Sequence, residues 1–322
     1  MLKTPQFWTE KNLSSFALLP ISLIYFLGFC VIKFFTKTVK ISKPVICVGN
    51  IIAGGSGKTP TAIALGKILH DMSAEFAYLS RGYMSDGSIF LQLHKDDNNK
   101  ASQVGDEPML LVETASTFVA RDRLFGAKQI DKIAKVKMIV LDDGMQNDSL
   151  HRDYTILVVD GKIGFGNEFL IPAGPMRETL KMGLKKTDLI VLIGDADEKL
   201  LQKFAGKKIA RAKIFPTNLE NFSGKKQVAF CGLAYPQKFF SLLERHGIET
   251  VETIGFPDHY LYQDKDLESL CEIALAKNAD LVTTKKDWMK FSKSFQKKIP
   301  YLDVELKFED EDLIKNELKK FL

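Results

Sequence analysis

Apolar and polar positions follow one another along most of this chain in a pattern that predicts strands and helices in alternation. Several apolar runs lack a polar face, which is typical of strands in a parallel sheet covered by helices on both sides. Such runs lie at residues 74–79, 117–120, 137–141, 154–159 and 188–193. The stretches between them, such as 107–115 and 122–134, have the length of crossover helices. The pattern therefore predicts a doubly wound parallel α/β sheet with its ligand site at the carboxyl ends of the strands.

A polar, turn-rich segment at residues 215–226 interrupts this pattern, and a new alternation begins after it. The new strands are predicted at 227–231, 250–254, 279–284 and 301–306, and the new helices at 236–246, 265–277, 286–297 and 310–322. We therefore predict a nucleotide-binding α/β domain over residues 39–214, a linker over 215–226 and a second, smaller α/β domain over 227–322.

The N-terminal segment is different, because no charged residue lies between Lys11 and Lys33. As a single helix it would be about 31 Å long, enough to cross a bilayer core of about 30 Å. Lysines follow at positions 33, 37, 40 and 43, and this excess predicts that the body of the protein lies in the cytoplasm. Pro20 and Gly28 weaken a continuous span, so a helix lying in the membrane interface and a buried helix are alternatives. We predict a membrane-anchoring helix over residues 1–38.

Composition adds constraints on the protein class. The chain is 45% hydrophobic and 26% charged, as in a globular protein, and its net charge of +5 fits anionic lipid or phosphate ligands. It has no basic run with interleaved aromatic residues, so we expect no nucleic-acid partner. Its four cysteines are far apart and form no Cys-x-x-Cys pair. This argues against a zinc site or a disulfide framework and indicates a reducing compartment.

The sequence Gly-Asn-Ile-Ile-Ala-Gly-Gly-Ser-Gly-Lys-Thr-Pro at residues 49–60 lies between an apolar run and a helical pattern. A glycine-rich turn between a strand and a helix lets backbone N–H groups converge on phosphate oxygens. Lys58 would reach the β- and γ-phosphates of ATP, and the Thr59 hydroxyl would bind Mg²⁺. Ile52 departs from the pattern, which usually has glycine at that position. The predicted ATP-binding residues are Gly54, Gly55, Ser56, Gly57, Lys58, Thr59 and Pro60.

Two acidic pairs are candidates for Mg²⁺ binding or base catalysis. Asp142 and Asp143 follow an apolar strand, where a carboxylate can hold the metal of a bound nucleotide. Asp106 and Glu107 precede a helix, where one could act as a base or a metal ligand near the γ-phosphate. The alternatives are an ordinary Asp-Gly turn for the first pair and helix capping for the second.

Histidine and arginine side chains supply further candidates. Asp258 and His259 are adjacent, and an imidazole held by a carboxylate could help to deprotonate a hydroxyl. Arg81 and Arg121 come just after strands, and Arg177 lies in a proline-rich turn, so each could meet a phosphate or a lipid headgroup. A structural histidine and local ion pairs are the alternatives.

Taken together, these motifs resemble the tetraacyldisaccharide 4′-kinase family of lipid A biosynthesis. The resemblance rests on the phosphate loop and, in chain order, on Leu-Ser-Arg-Gly-Tyr at 79–83, Gly-Asp-Glu-Pro at 105–108, Asp-Asp-Gly-Met-Gln at 142–146, Leu-His-Arg-Asp at 150–153, Gly-Phe-Gly-Asn at 164–167, Pro-Ala-Gly-Pro-Met-Arg-Glu at 172–178, Phe-Pro-Asp-His at 256–259 and Thr-Thr-Lys-Lys-Asp at 283–287. The unusual phosphate loop is itself similar to that of the family. The resemblance implies ATP- and Mg²⁺-dependent phosphorylation of the 4′-hydroxyl of a tetraacylated glucosamine disaccharide 1-phosphate, giving lipid IVA at the cytoplasmic face of the inner membrane.

The resemblance also implies roles for individual residues. Asp106 matches the catalytic aspartate and His259 its associated histidine. Together with Lys58, whose role follows from the phosphate loop, they are the predicted catalytic residues. The implied metal-associated residues are Thr59, Glu107, Asp142 and Asp143. The residues predicted to bind the substrate are Arg81, Arg121, Arg177 and Asn167. Two positions depart from the family pattern. Asn147 stands where histidine is frequent, and Lys285 stands where glutamate is usual.

Two functions from other classes share most of these features. A membrane-attached P-loop NTPase switch would hydrolyse nucleotide without lipid and act on protein partners through mobile loops. A nucleotide-binding scaffold would show no turnover. Transfer of labelled phosphate from ATP to the disaccharide lipid distinguishes the kinase from both, because fold alone does not determine function.

Overall fold

The computed structural model describes residues 5–82, 90–95 and 101–322, with only the backbone for 101 and 102. Tyr83 of the Leu-Ser-Arg-Gly-Tyr motif lies outside the described residues. The strands are β1 Val45–Gly49, β2 Phe76–Ser80, β3 Leu91–Leu93, β4 Thr117–Val119, β5 Met138–Asp142, β6 Tyr154–Asp160, β7 Leu189–Ile193, β8 Lys208–Pro216, β9 Gln227–Cys231, β10 Thr250–Gly255, β11 Asp280–Thr284, β12 Tyr301–Leu302 and β13 Val304–Phe308. The helices are α1 Leu13–Ala17, α2 Leu19–Phe35, α3 Lys58–Asp71, α4 Ala101–Val104, α5 Asp106–Leu111, α6 Arg123–Asp131, α7 Leu180–Lys186, α8 Glu198–Gln202, α9 Pro236–Arg245, α10 Asp264–Ala276, α11 Lys285–Trp288, α12 Lys293–Gln296 and α13 Glu311–Leu318.

A nine-stranded sheet forms the larger part of the molecule, with the order β13-β8-β7-β6-β1-β5-β2-β4-β3. All strands from β8 to β4 are parallel, and β13 and β3 join the two edges antiparallel. The predicted α/β class with a mostly parallel sheet is confirmed. Strands β5, β2 and β4 lie on one side of β1, and β6, β7 and β8 lie on the other. The direction in which strands are added to the sheet therefore reverses at β1. A ligand crevice opens at such a point, beside the carboxyl end of β1.

Two apolar layers cover this sheet. On β1, Val45 and Cys47 face the layer that contains α6 and α7, whereas Ile46 and Val48 face the layer that contains α3 and α13. All five residues of β1 are buried, as expected for a strand at the centre of a doubly covered sheet. The backbone that carries the phosphate loop is therefore held rigidly from both sides.

A second, four-stranded parallel sheet has the order β10-β9-β11-β12 and its own two apolar layers. The chain leaves it at Asp303, and β13 and α13 return to the large sheet. The run at 301–306 is thus divided between two sheets, although the sequence pattern predicts one strand. We call the four-stranded sheet and its helices, residues 227–302, the smaller unit.

The N-terminal segment forms two helices in place of the single helix that the sequence predicts. Helix α1 ends at Ala17, and α2 begins at Leu19 with Pro20 in its first turn. Proline lacks an N–H donor, and its ring clashes with the carbonyl four residues earlier, so the helix cannot continue through this point. In the part of the chain that the structure describes, no helix has both the length and the apolar character needed to cross a membrane. The predicted spanning helix is therefore not supported.

Candidate active site

A cleft of about 1670 Å³ lies between the large sheet and the smaller unit, and the phosphate loop forms part of its wall. The loop follows β1, and the carboxyl end of β5 lies next to it because Val48 pairs with Asp142. The backbone N–H of Asp143 donates to Val48 O at 2.9 Å. Parallel pairing of β1 and β5 therefore brings the acidic pair to the phosphate loop, as the sequence predicts.

The phosphate loop has the backbone geometry that its glycines allow. Gly54 and Gly57 have φ angles of +109° and +90°, which side chains rarely permit. A Cβ on Gly57 would also lie 2.5 Å from Ile193 Cδ1. Helix α3 begins at Lys58, so its free N–H groups and its dipole point into the cleft. These features fit the phosphates of ATP.

Ile52 departs from the usual glycine because this part of the loop forms a short β-bridge. It pairs antiparallel with Met176 and is buried in the core. On either side, Ala53 N donates to Pro175 O at 2.7 Å and Arg177 N donates to Ile51 O at 2.8 Å. An apolar side chain suits this position better than glycine, since the start of the loop is fixed against the segment at 172–178.

Asp143 is the centre of an ion-pair network beside the loop. Its carboxylate accepts two hydrogen bonds from Arg177, at 3.0 and 3.1 Å, and lies 3.6 Å from Lys58 Nζ. Burial raises the pKa of Asp143, but Lys58, Arg177 and Arg123 outweigh burial and hold that pKa below its usual value. Asp143 is therefore ionised, and its carboxylate holds the ammonium group of Lys58 in place at the phosphate loop.

Asp142 has the opposite environment. It is 1% exposed, and neither carboxylate oxygen has a hydrogen-bond partner among the described residues. Burial, with the charges of Glu107 and Asp143, raises its pKa well above the usual value. A buried carboxylate without a partner is costly, and a divalent cation would relieve that cost. Asp142, which lines the same cleft as Thr59, therefore fits a Mg²⁺ ion.

In the described residues, no group of three or more His, Cys, Asp or Glu side chains could hold a metal ion alone. Mg²⁺ in nucleotide sites is usually held by one or two carboxylates together with phosphate oxygens and waters. The assignments of Thr59, Glu107, Asp142 and Asp143 as metal ligands stay predictions.

Asp106 and His259 meet across the cleft, although they are far apart in sequence. Asp106 begins α5 and is 4% exposed, and His259 Nδ1–H donates to its Oδ2 at 2.9 Å. His259 lines the cleft together with Glu107. Burial raises the pKa of Asp106, but Lys286, His259 and Lys290 outweigh burial and lower it below the usual value. In this pair, the ionised Asp106 carboxylate orients the His259 imidazole towards the cleft.

Asp106 lies closer to the His259 imidazole than does Asp258, its neighbour in sequence. Asp258 Oδ2 lies 3.8 Å from His259 Nε2, whereas the Asp106 contacts are 2.9 and 3.2 Å from Nδ1. His259 also has a φ angle of +56°, which is uncommon for a residue other than glycine. Both carboxylates lie near the imidazole, but the closer one is Asp106, with which the family resemblance associates this histidine.

Known proteins similar to this chain identify its family. The family model described as LpxK, tetraacyldisaccharide-1-P 4′-kinase, matches residues 14–322. The chain belongs to the tetraacyldisaccharide 4′-kinase family.

Members of this family are similar to the chain over nearly its whole length. A tetraacyldisaccharide 4′-kinase from Rickettsia typhi is 38% identical over 319 residues, which cover 98% of each chain. Another from Chelativorans sp. is 36% identical over 300 residues, covering 91% of this chain and 87% of the relative. The crystal structure of LpxK from Aquifex aeolicus in complex with ATP is 28% identical, with a TM-score of 0.74, and covers 95% of this chain and 99% of its own. The family predicted from the motifs is confirmed.

The arginines that were predicted to bind the substrate differ in their availability. Arg81 and Arg121 are exposed and line the cleft. Arg177 also lines the cleft, but its guanidinium contacts Asp143 and Gln146. Of the three, Arg81 and Arg121 have the exposure that an anionic ligand requires.

Asn167 was predicted to bind the substrate, but its side chain is buried away from solvent. It is 3% exposed, and its amide donates to Phe7 O at 2.8 Å and to Ala173 O at 2.9 Å. Its Oδ1 accepts from Phe169 N. The structure therefore uses Asn167 to tie the N-terminal segment to the loop at 172–178, and does not support a direct contact with substrate.

The side chains at the two positions that depart from the family pattern, Asn147 and Lys285, both have hydrogen-bond partners. Asn147 Oδ1 accepts from Ser149 N and Oγ at 3.1 and 2.6 Å, so it closes a turn beside the cleft. Lys285 Nζ donates to Glu113 at 2.6 Å and lies 3.7 Å from Asp303. Lys285 thus joins the smaller unit to the segment that follows α5.

Proposed function

We propose that this chain is the ATP-dependent kinase that phosphorylates the 4′-hydroxyl of tetraacyldisaccharide 1-phosphate, giving lipid IVA in lipid A biosynthesis. The observation that carries the proposal is the Asp106–His259 pair, because His259 and the phosphate loop line the same cleft. Full-length similarity to tetraacyldisaccharide 4′-kinases supports the choice of acceptor.

The phosphate loop and Lys58 bind and orient the triphosphate of ATP. Backbone N–H groups at the start of α3 would donate to the phosphates, and Lys58 would reach the transferred group. Mg²⁺ would be held by Thr59 and Asp142, with Glu107 and Asp143 close by, and would neutralise charge on the phosphates. Arg177 keeps Asp143 in place and so supports Lys58 indirectly.

The Asp106–His259 pair orients the sugar hydroxyl and accepts its proton. The hydroxyl oxygen forms a bond to the γ-phosphorus while the bond from that phosphorus to the β–γ bridging oxygen breaks, and ADP leaves. The hydroxyl proton passes to the pair. Arg81 and Arg121 are placed to bind the anionic phosphate of the lipid acceptor, because both are exposed at the cleft.

The test is transfer of label. Purified protein is incubated with γ-labelled ATP, Mg²⁺ and the tetraacylated disaccharide 1-phosphate in detergent micelles, and the lipid and inorganic phosphate are separated. We expect label in the lipid. Label released only as inorganic phosphate would favour the NTPase switch, and no turnover would favour a nucleotide-binding scaffold.

The N-terminal helices support attachment to a membrane surface. The exposed side of α1 and α2 carries large apolar side chains, including Leu13 at 88% and Ile24 at 70% exposure. The other side is fixed to the body, since Ser22 Oγ donates to Leu170 O at 2.8 Å and Tyr25 OH donates to Arg177 O at 2.9 Å. We infer that these helices lie in the interface of the inner membrane, at its cytoplasmic face, with the cleft opening beside the lipid.

Removing residues 1–38 is therefore expected to release the protein from membranes. The truncation variant should float with vesicles of anionic phospholipid at least about tenfold less than the full chain, because the apolar surface that inserts is gone. Vesicle flotation measures this. Leu275→Ser, which removes an exposed apolar side chain on α10, is the matched control and should float like the full chain. Undiminished flotation of the truncated protein would place the attachment elsewhere.

A further inference from the structure

Asp106 is held by cations that belong to the smaller unit, and Lys290 is the more buried of the two lysines. The Lys290 side chain is 2% exposed, compared with 19% for Lys286. A buried ammonium is costly unless it is paired with carboxylates in good geometry. Lys290 lies outside every motif that the sequence analysis identified, so its burial beside the active site requires a separate explanation.

One side of Lys290 is anchored within the smaller unit. Its Nζ donates to Asp287 Oδ1 at 2.9 Å. Asp287 is fully buried, and its Oδ2 accepts from Gly232 N at 2.9 Å and from Thr284 Oγ1 at 2.8 Å. Asp287 is therefore fixed by three donors, and it fixes the position of the Lys290 ammonium in turn.

The other side of Lys290 faces the active site. Asp106 Oδ2 lies 3.5 Å from Lys290 Nζ and 3.6 Å from Lys286 Nζ. The same oxygen accepts the hydrogen bond from His259 at 2.9 Å. Asp106 begins the six-residue helix α5, which packs with the nine-stranded sheet. All three of its partners belong to the smaller unit. The orientation of this carboxylate is thus set from across the cleft.

We propose that Lys290 is a positioning residue for phosphoryl transfer, which holds Asp106 Oδ2 against His259 from its anchor on Asp287. This inference rests on the proposed function, because it needs the Asp106–His259 pair to take part in transfer. A displacement of about 1 Å in a reacting group can cost on the order of 10²-fold in rate. Loss of Lys290 therefore lowers kcat for transfer and leaves ATP binding by the phosphate loop unchanged.

The test removes the Lys290 charge in two ways, of which the first keeps the buried charges balanced. Lys290→Met alone leaves Asp287 buried without a counter-ion, so the main variant is Lys290→Met with Asp287→Asn. Lys290→Gln is the second variant, because its amide can still donate to Asp287 but carries no charge towards Asp106. The control is Lys297→Met, at an exposed position of the same unit. For each, kcat, KM for ATP and the melting temperature are measured with the full-length protein in the label-transfer assay.

We expect kcat to fall at least about tenfold in both Lys290 variants, with KM for ATP within about twofold of the wild type, and no change in the control. A purely structural role would lower the melting temperature without separating kcat from KM. A folded Lys290 variant with wild-type kcat would overturn the inference while the kinase assignment stands. Wild-type protein that transfers no label to lipid would overturn the proposed function and this inference together.

Discussion

Replacing Asp106 with asparagine is expected to lower kcat by about 10²–10⁴-fold while KM for ATP stays within about threefold. The amide keeps the size of the side chain but cannot accept the hydroxyl proton or balance a charged imidazole. Asp106 contacts His259, Lys286 and Lys290 of the smaller unit, so we expect the phosphate loop and its binding of ATP to be unchanged. Steady-state kinetics of lipid phosphorylation measure both constants. Turnover near that of the wild type would remove Asp106 from the transfer step.

The same variant should also show a stability difference with a defined pH dependence. The pKa of Asp106 is lowered in the folded protein by Lys286, His259 and Lys290, which outweigh the effect of burial. A lowered carboxyl pKa stabilises the fold above the unfolded value of about 3.9, and this contribution is lost as the pH falls through the folded value. Asp106→Asn should thus melt below the wild type at pH 7, and the difference should shrink below about pH 4. Asp71→Asn, at an exposed carboxyl, is the control.

Replacing Asp142 with asparagine is expected to have opposite effects on activity and on stability. Activity should fall by about 10²–10³-fold, because the substitution removes a charged group that fits Mg²⁺ beside the phosphates. Without nucleotide and Mg²⁺, however, the variant should melt about 2 °C or more above the wild type at pH 7.5. The physical reason is that Asp142 is a buried carboxylate whose oxygens have no partner among the described residues.

The sign of this second effect follows from the raised pKa of Asp142. Burial, Glu107 and Asp143 raise the pKa in the folded protein, so the ionised form destabilises the fold. This cost is absent below the unfolded value of about 3.9 and grows as the pH rises through the folded value. The difference in melting temperature between variant and wild type should therefore grow with pH over that window. Differential scanning calorimetry at several pH values measures it, and a variant that melts lower at every pH would contradict the explanation.

Local sequence was sufficient to predict the phosphate loop and the strands around it. A buried parallel strand needs apolar side chains on both faces, and this signal identified β2, β5, β6 and β7. The same signal is absent from β3 and β8, which lie at or next to the sheet edges and were not predicted. There one face or one edge contacts solvent, so the residues of β8 alternate with charged side chains and resemble a polar loop.

Contacts between distant segments account for the differences between the predicted and the observed site. Ile52 looked like a departure from the phosphate loop until its bridge to Met176 was seen. Asn167 belongs to a family motif, yet its side chain ties the N-terminal segment to a loop. Lys290 belongs to none of the motifs found in the sequence. It contacts Asp106 only because the smaller unit packs against α5.

The sequence by itself determined the α/β class, the phosphate loop, the acidic residues beside it and the family. These depend on short-range patterns: the period of the apolar residues, the glycines of a turn and the order of motifs. Only the tertiary structure decided that Pro20 divides the N-terminal helix, that β13 returns to the large sheet and that His259 pairs with Asp106 rather than Asp258. Only the family resemblance associated these two residues from sequence, and local patterns could not, because a hydrogen bond between residues 153 positions apart depends on how two separately packed sheets approach each other.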